Sequence, residues 1–166
     1  MIFIGVGANL PGPGRISPQE TCEAALACFE AVGLKISARS RWFKSAPVPV
    51  SDQPWFINGV VAVETSLKPG DVMAELHKIE QQFGRNREKR NAARTLDLDL
   101  LVYDEEILEG SEEPGTLRLP HPRMHERAFV LLPLKDIAPD WRHPVLNRDL
   151  NDLIGVLDPA QITVPC

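Results

Sequence analysis

Residues 57–84 read INGVVAVETSLKPGDVMAELHKIEQQFG and hold two periodicities end to end. Positions 57–65 are short and valine-rich, the composition of a strand buried in a sheet. Pro69 then suits the first turn of a helix, Val72, Leu76, Ile79 and Phe83 recur on one helical face, and Gly84 supplies the stop. A strand therefore feeds a helix over 69–82. The same unit occurs earlier. Residues 2–7 form an apolar run ending at Gly7, Ser17-Pro18-Gln19-Glu20 is a capping box, and Cys22, Ala25, Leu26, Phe29 and Val32 follow at helical spacing up to Gly33. Between the two units Leu34, Ile36 and Ala38 alternate with Lys35, Ser37 and Arg39, which predicts a strand continuing towards Trp42 and Phe43. Downstream, leucines at 96, 98 and 100 predict a strand over 95–103.

The order strand, helix, strand, strand, helix, strand is that of an α+β chain with a ferredoxin-like βαββαβ core, its helices packed on one face of an antiparallel sheet. Strands and helices are expected to be added around that core. Prolines at 47, 49 and 54 make 46–54 a loop, and 84–93 is a polar, basic loop. Ile107 and Leu108 are read as a hairpin strand returning after Asp104-Glu105-Glu106, and 109–116 as a surface loop. Short helices are expected at about 125–132 and 150–156. A chain of 166 residues fits one domain over 1–166.

Hydrophobic residues at 43% and charged residues at 25% are those of a soluble globular protein. The net charge of −5 argues against sequence-blind binding to nucleic acid, which needs a basic surface. It leaves room for an anionic small ligand, because local potential at a cleft matters more than net charge. Cys22, Cys28 and Cys166 match no zinc-ligand spacing and are read as free thiols of a reducing compartment. Without a basic leader or a membrane-length apolar run, the expectation is a cytoplasmic monomer that meets no membrane.

The chemistry centres on Arg94-Thr95-Leu96-Asp97-Leu98-Asp99-Leu100-Leu101. In a strand Asp97 and Asp99 point to one face and Leu96, Leu98 and Leu100 to the other. Two carboxylates about 7 Å apart on one face repel each other, and a divalent cation removes that conflict. Hard oxygen ligands suit Mg²⁺, which shares its coordination with water and substrate phosphates. A bare D-x-D is more often a strand edge showing acids to water. Its neighbours tip the balance: Arg85, Arg87, Lys89, Arg90 and Arg94 crowd one ten-residue stretch in which Glu88 is the single acid. A phosphate chain needs both cations and a metal.

Gly5-Val6-Gly7-Ala8-Asn9-Leu10 lacks the third glycine of a dinucleotide fingerprint, and no G-x-x-x-x-G-K-[ST] occurs. Any ATP would thus be held by side chains and metal, not by a glycine-rich cradle. Gly7 is read as a tight turn or a close approach of ligand to backbone. His121, Phe56 and Phe129 have ordinary structural explanations on spacing alone, and His77 is assigned to surface or core.

Residues 90–101, Arg-Asn-Ala-Ala-Arg-Thr-Leu-Asp-Leu-Asp-Leu-Leu, resemble the signature of the 6-hydroxymethyl-7,8-dihydropterin pyrophosphokinases of folate biosynthesis. Gly7-Ala8-Asn9-Leu10 is similar to that family's G-S-N-L opening, and Asp52-Gln53-Pro54 with Phe56 and Asn58 to its D-Q-P-x-[FY]-x-N element. Glu80 to Arg85, and Pro120-His121 through Arg127 and Phe129, also fall in step with it. The resemblance covers nearly the whole chain. It implies a ferredoxin-like fold binding ATP, two Mg²⁺ ions and a reduced pterin. Asp97 and Asp99 would bind both metals. Arg85 and Arg94 would contact phosphates, with Arg87 on a catalytic loop. Glu80, Leu100, His121 and Arg127 would belong to the nucleotide site. The pterin would stack between Phe56 and Phe129, Asn58 would bond its ring edge, and Gly7, Ser45, Ala46 and Val48 would lie nearby. The loop 86–93 carries no tryptophan, where some members have one, and Ala46 stands where proline is common.

On this reading the pterin hydroxyl attacks the β-phosphorus in line, AMP leaves, and Asp97 orients or deprotonates the hydroxyl. Two competing readings are a non-catalytic binding domain on the same fold, which would need neither the acids nor the arginines, and a D-x-D nucleotidyl- or glycosyl-transferase, which would ignore a pterin. An RNA-recognition module is disfavoured by charge and by the lack of paired aromatic strand motifs.

Overall fold

The computed structural model describes residues 1–84, 95–111, 113 and 116–166. Its elements are β1 (Ile2–Ala8), α1 (Pro18–Ala27), β2 (Lys35–Arg39), β3 (Phe43–Ser45), β4 (Phe56–Glu64), α2 (Pro69–Gln82), β5 (Asp97–Tyr103), α3 (Ala128–Ile137), α4 (Leu150–Gly155) and β6 (Thr163–Pro165), with single 3₁₀ turns at Glu30–Val32 and Met124–Glu126. Six strands make one sheet in the order β5-β1-β4-β3-β6, with β2 also on β4, and every pairing is antiparallel.

Both faces of the sheet are covered. Ile2, Ile4 and Val6 of β1 pack with Leu96, Leu98 and Leu100 against α1 and α2, around Phe29, Leu76 and Ile79. On the opposite face Phe3, Val60, Ala62 and Leu101 pack against Leu131 and Leu134 of α3 and Leu150 and Leu153 of α4. This explains why β1 reads as an apolar run: Ile2, Ile4 and Val6 go into one layer and Phe3 into the other. The two core helices lie on one face as expected, and the added helices α3 and α4 close part of the other.

Tertiary pairing redraws several local expectations. The helix expected to reach Gly33 ends at Ala27 and tightens into the 3₁₀ turn, with Gly33 at φ +85°. Ser17 caps it, its Oγ accepting from Glu20 N at 3.2 Å, while the Glu20 carboxylate accepts from Ile16 N at 2.8 Å. The strand expected to run on to Phe43 breaks at Ser40, whose Oγ accepts from Val60 N at 2.9 Å; β2 and β3 are two pieces lying along β4. Ile107 and Leu108 do not return along β5. Asp104 turns the chain at φ +50°, and Leu108 exchanges backbone bonds of 2.9 Å with Leu119 instead. The helix expected from 125 starts at Ala128, because Met124–Glu126 is 3₁₀, and continues past Pro133 to Ile137. β6 has no sequence signal; its pairing with β3 makes it a strand.

One irregularity positions everything below. Ile4 pairs with Leu100 but Phe3 with Val102, so Leu101 is an extra residue in β5. This bulge sends Leu101 and Val102 both to the α3 face and returns Tyr103 to the α1–α2 face, where its hydroxyl donates to Leu67 C=O.

Candidate active site

The alternation of β5 before the bulge puts Asp97 and Asp99 on the α3 face, both half-buried, and Leu98 and Leu100 on the other, both buried. The sheet register then aligns them with specific partners. Gly7 pairs with Asn58 on one side and Asp97 on the other; Gly5 pairs with Val60 and Asp99. Each acid therefore has a glycine beside it on the same face. With no side chain at 5 and 7, the middle of the sheet is a bare floor flanked by carboxylates on β5 and an amide on β4.

That floor is the base of a cleft of about 540 Å³. Its walls are the loop after β3, with Ala46, Val48 and Pro49, and the segment leading into α3, with Arg127 and Phe129; Phe56 and Asn58 line it from β4. Asn58 is buried, and its Nδ2 donates to Ser45 Oγ at 2.5 Å. A Cβ on Gly7 would stand 2.7 Å from Asn58 Oδ1, so glycine at 7 is the condition for this amide orientation. Asn9, 1% exposed, ties the loop down by donating to Gln53 Oε1 and Pro54 C=O, both at 3.1 Å.

Arg127 reaches from its wall to the floor. Its guanidinium lies 3.9 Å from Asp99 Oδ2 and 5.5 Å from the Phe129 ring centroid, a cation–π contact. His121 stands beside this cleft and lines a separate shallow groove. Its backbone N–H donates to Leu101 C=O at 2.8 Å, and its ring Nδ1 accepts from Arg123 N at 3.1 Å. Burial, with the nearby cations Arg127 and Arg123 acting in the same direction against the opposing charge of Asp97, pushes its pKa down to about 4. At neutral pH it is an uncharged ring whose proton sits on Nε2, a directed donor.

The structure thus gathers Gly7, Ser45, Ala46, Val48, Phe56, Asn58, Asp97, Asp99, Arg127 and Phe129 around one cleft. It does not bring Glu80 or Leu100 there: both are buried on the α1–α2 side of the sheet. Arg85, Arg87 and Arg94 lie outside the described residues. Residues with no earlier assignment also line the cleft, among them Arg123, Glu126, Asp158 and Gln161. Arg123 could have been suspected as a cation two places from His121. Asp158 and Gln161 come from the tail after α4, where no motif marks them.

Asp97 and Asp99 offer hard oxygen donors, and no group of three metal-binding side chains occurs among the described residues. Two carboxylates without a third protein ligand fit Mg²⁺, whose remaining positions go to water and phosphate. They would not fit a closed structural zinc site.

The family described as 7,8-dihydro-6-hydroxymethylpterin-pyrophosphokinase (HPPK) matches residues 3–139. The chain is 41% identical over 155 residues to a 2-amino-4-hydroxy-6-hydroxymethyldihydropteridine pyrophosphokinase of Pseudomonas aeruginosa, covering 93% of this chain and 90% of that one. It is 38% identical to the protein of the same name in Synechocystis sp., covering 93% and 75%. Among solved structures, wild-type Plasmodium falciparum HPPK-DHPS superimposes at a TM-score of 0.66 with 16% identity, covering 93% of this chain and 43% of that larger one, which shows likeness of fold. By its sequence over most of its length, the chain belongs to the 7,8-dihydro-6-hydroxymethylpterin-pyrophosphokinase family.

Proposed function

We propose that Asp97 and Asp99 hold two Mg²⁺ ions through which this pyrophosphokinase grips ATP, while the pterin lies on the glycine floor between Phe56 and Phe129. The alignment of Asn58, Gly7 and Asp97 in one row across β4, β1 and β5 is the observation that carries this reading. It puts an amide suited to a heteroaromatic edge and a carboxylate suited to a metal on either side of an open strip of backbone. When bound there, magnesium neutralises phosphate oxygens and makes the β-phosphorus easier to attack.

The chain's own residues supply the rest. Asn58, oriented by Ser45, offers a paired acceptor and donor to the ring edge. Phe56 and Phe129 give apolar faces to a flat ring. Asp97 would orient or deprotonate the hydroxymethyl group, and Arg127 and His121 would provide a cation and a neutral N–H donor for phosphate oxygens. The hydroxyl oxygen forms a bond to the β-phosphorus, the bond from that phosphorus to the α-phosphate oxygen breaks, and AMP departs. Arg85, Arg87 and Arg94 would complete the phosphate contacts. A single domain acting as a cytoplasmic monomer is part of the same reading; three free cysteines suit a reducing compartment, and among the described residues no helix is long and apolar enough to cross a membrane.

Incubation with ATP, Mg²⁺ and 6-hydroxymethyl-7,8-dihydropterin yields AMP; appearance of ADP in its place overturns the reading. Asp97→Asn and Asp99→Asn each lower Mg²⁺-dependent kcat by about 10³-fold or more while the thermal melt stays cooperative, since they remove charge and no core volume. Gly7→Ala forces Asn58 from its place, and steady-state kinetics show KM for the pterin rising about tenfold with a smaller change in kcat. The depressed pKa of His121 makes the folded state resist protonation. Above pH 6.5 folded and unfolded chains are both neutral there; as pH falls towards 4 the unfolded chain takes up the proton first, and stability is lost. Melts of the ligand-free chain between pH 7 and 4 show a loss of up to about 3 kcal/mol that is smaller in His121→Gln.

A further inference from the structure

Gln161 lines the cleft from the tail that follows α4, more than thirty positions from the residues it touches. Its Oε1 accepts from Ala128 N at 2.9 Å, and its Nε2 donates to Glu126 C=O at 2.8 Å. One amide side chain thus bonds the backbone on both sides of Arg127, as a neighbouring strand would. Arg127 itself sits in extended conformation, at φ −114° and ψ 112°, between a 3₁₀ turn and the start of α3. At this junction Arg127 N donates to Met124 C=O at 3.3 Å and its C=O accepts from Val130 N and Leu131 N at 3.1 and 3.0 Å, while the N-cap side chain makes no bond to the first turn of α3. Gln161 makes one from a distance.

The same tail reaches the opposite wall. Ile162, the next residue, accepts at its carbonyl from Ala46 N at 3.0 Å, and β6 pairs Thr163 with Ser45, the residue that orients Asn58. Neighbouring positions of the tail therefore bond the two walls that carry Arg127 and Ser45.

We infer that Gln161 is a positioning residue for the transfer reaction, which holds the backbone at Arg127 so that its guanidinium is aimed between Asp99 and Phe129 over the cleft. This rests on the role assigned above to Arg127 in the nucleotide site. It adds that the aim of that cation is set from the C-terminal tail and not by α3 alone.

The test uses the full chain in four forms: wild type, Gln161→Met, Arg127→Ala and the double variant. Methionine keeps the side chain's length and loses both bonds. Gln161→Met is expected to lower kcat/KM for ATP about tenfold. In the Arg127→Ala background the same change is expected to have under twofold effect, because the group it aims is gone. Equal losses in both backgrounds, an unaltered Gln161→Met enzyme, or a silent Arg127→Ala each overturn the inference. Gln161→Glu gives a second readout should the methionine variant fold poorly. Protonated, its carboxyl can both accept from Ala128 N and donate to Glu126 C=O; ionised, it only accepts. Its activity relative to wild type should rise as pH falls, and a flat ratio counts against the inference. A wild-type chain that releases no AMP is a separate result, and overturns the assigned reaction itself.

Discussion

Antiparallel register between β1 and its two neighbours is the constraint on which the site depends. Antiparallel strands place paired residues on the same face, so the pairings of Gly7 with Asn58 and Asp97, and of Gly5 with Val60 and Asp99, fix which groups meet over the floor. A slip of one residue would turn Asp97 and Asp99 into the packed layer beneath α1 and α2 and bring Leu98 and Leu100 up to the cleft. The slip is opposed by the apolar set itself, since Ile2, Ile4, Val6, Leu96, Leu98 and Leu100 are all buried on one face. The energy that folds the sheet is thus the energy that aims the acids.

The bulge at Leu101 extends this logic. Up to Leu100, β5 alternates between a wall of the core and the floor of the cleft. Past Leu101 that alternation is no longer needed, and both Leu101 and Val102 go into the layer under α3. The same carbonyl that belongs to the bulged residue receives the N–H of His121. The bulged residue thus lines the cleft and anchors the segment that leads to Arg127.

The elements legible in the sequence were those whose signal is local. β1, α1, β4, α2 and β5 each bury a face over several residues, and periodicity records that. The break at Ser40, the turn-away of Leu108 and the 3₁₀ turn before α3 arise from bonds to distant backbone, which leave no period. β6 is the extreme case: three residues become a strand only because β3 is there to pair with. The cleft divides in the same way. Asp97 and Asp99 stood out through strand alternation beside a basic run, and Gly7 with Asn58 through short motifs. Gln161 had no mark of its own, because its partners are main-chain atoms of Glu126 and Ala128, and backbone bonds place little demand on the sequence around them.

Among the described residues β5 is an outer strand of the sheet. Without Asp97 and Asp99 it would read as leucines, a valine and a tyrosine on an edge strand, the composition that invites a strand from another molecule to add on. Like charges two residues apart discourage that encounter, since a second copy arriving in parallel register would bring its own acids alongside. That repulsion makes the edge of β5 a less inviting template for a second copy of the chain.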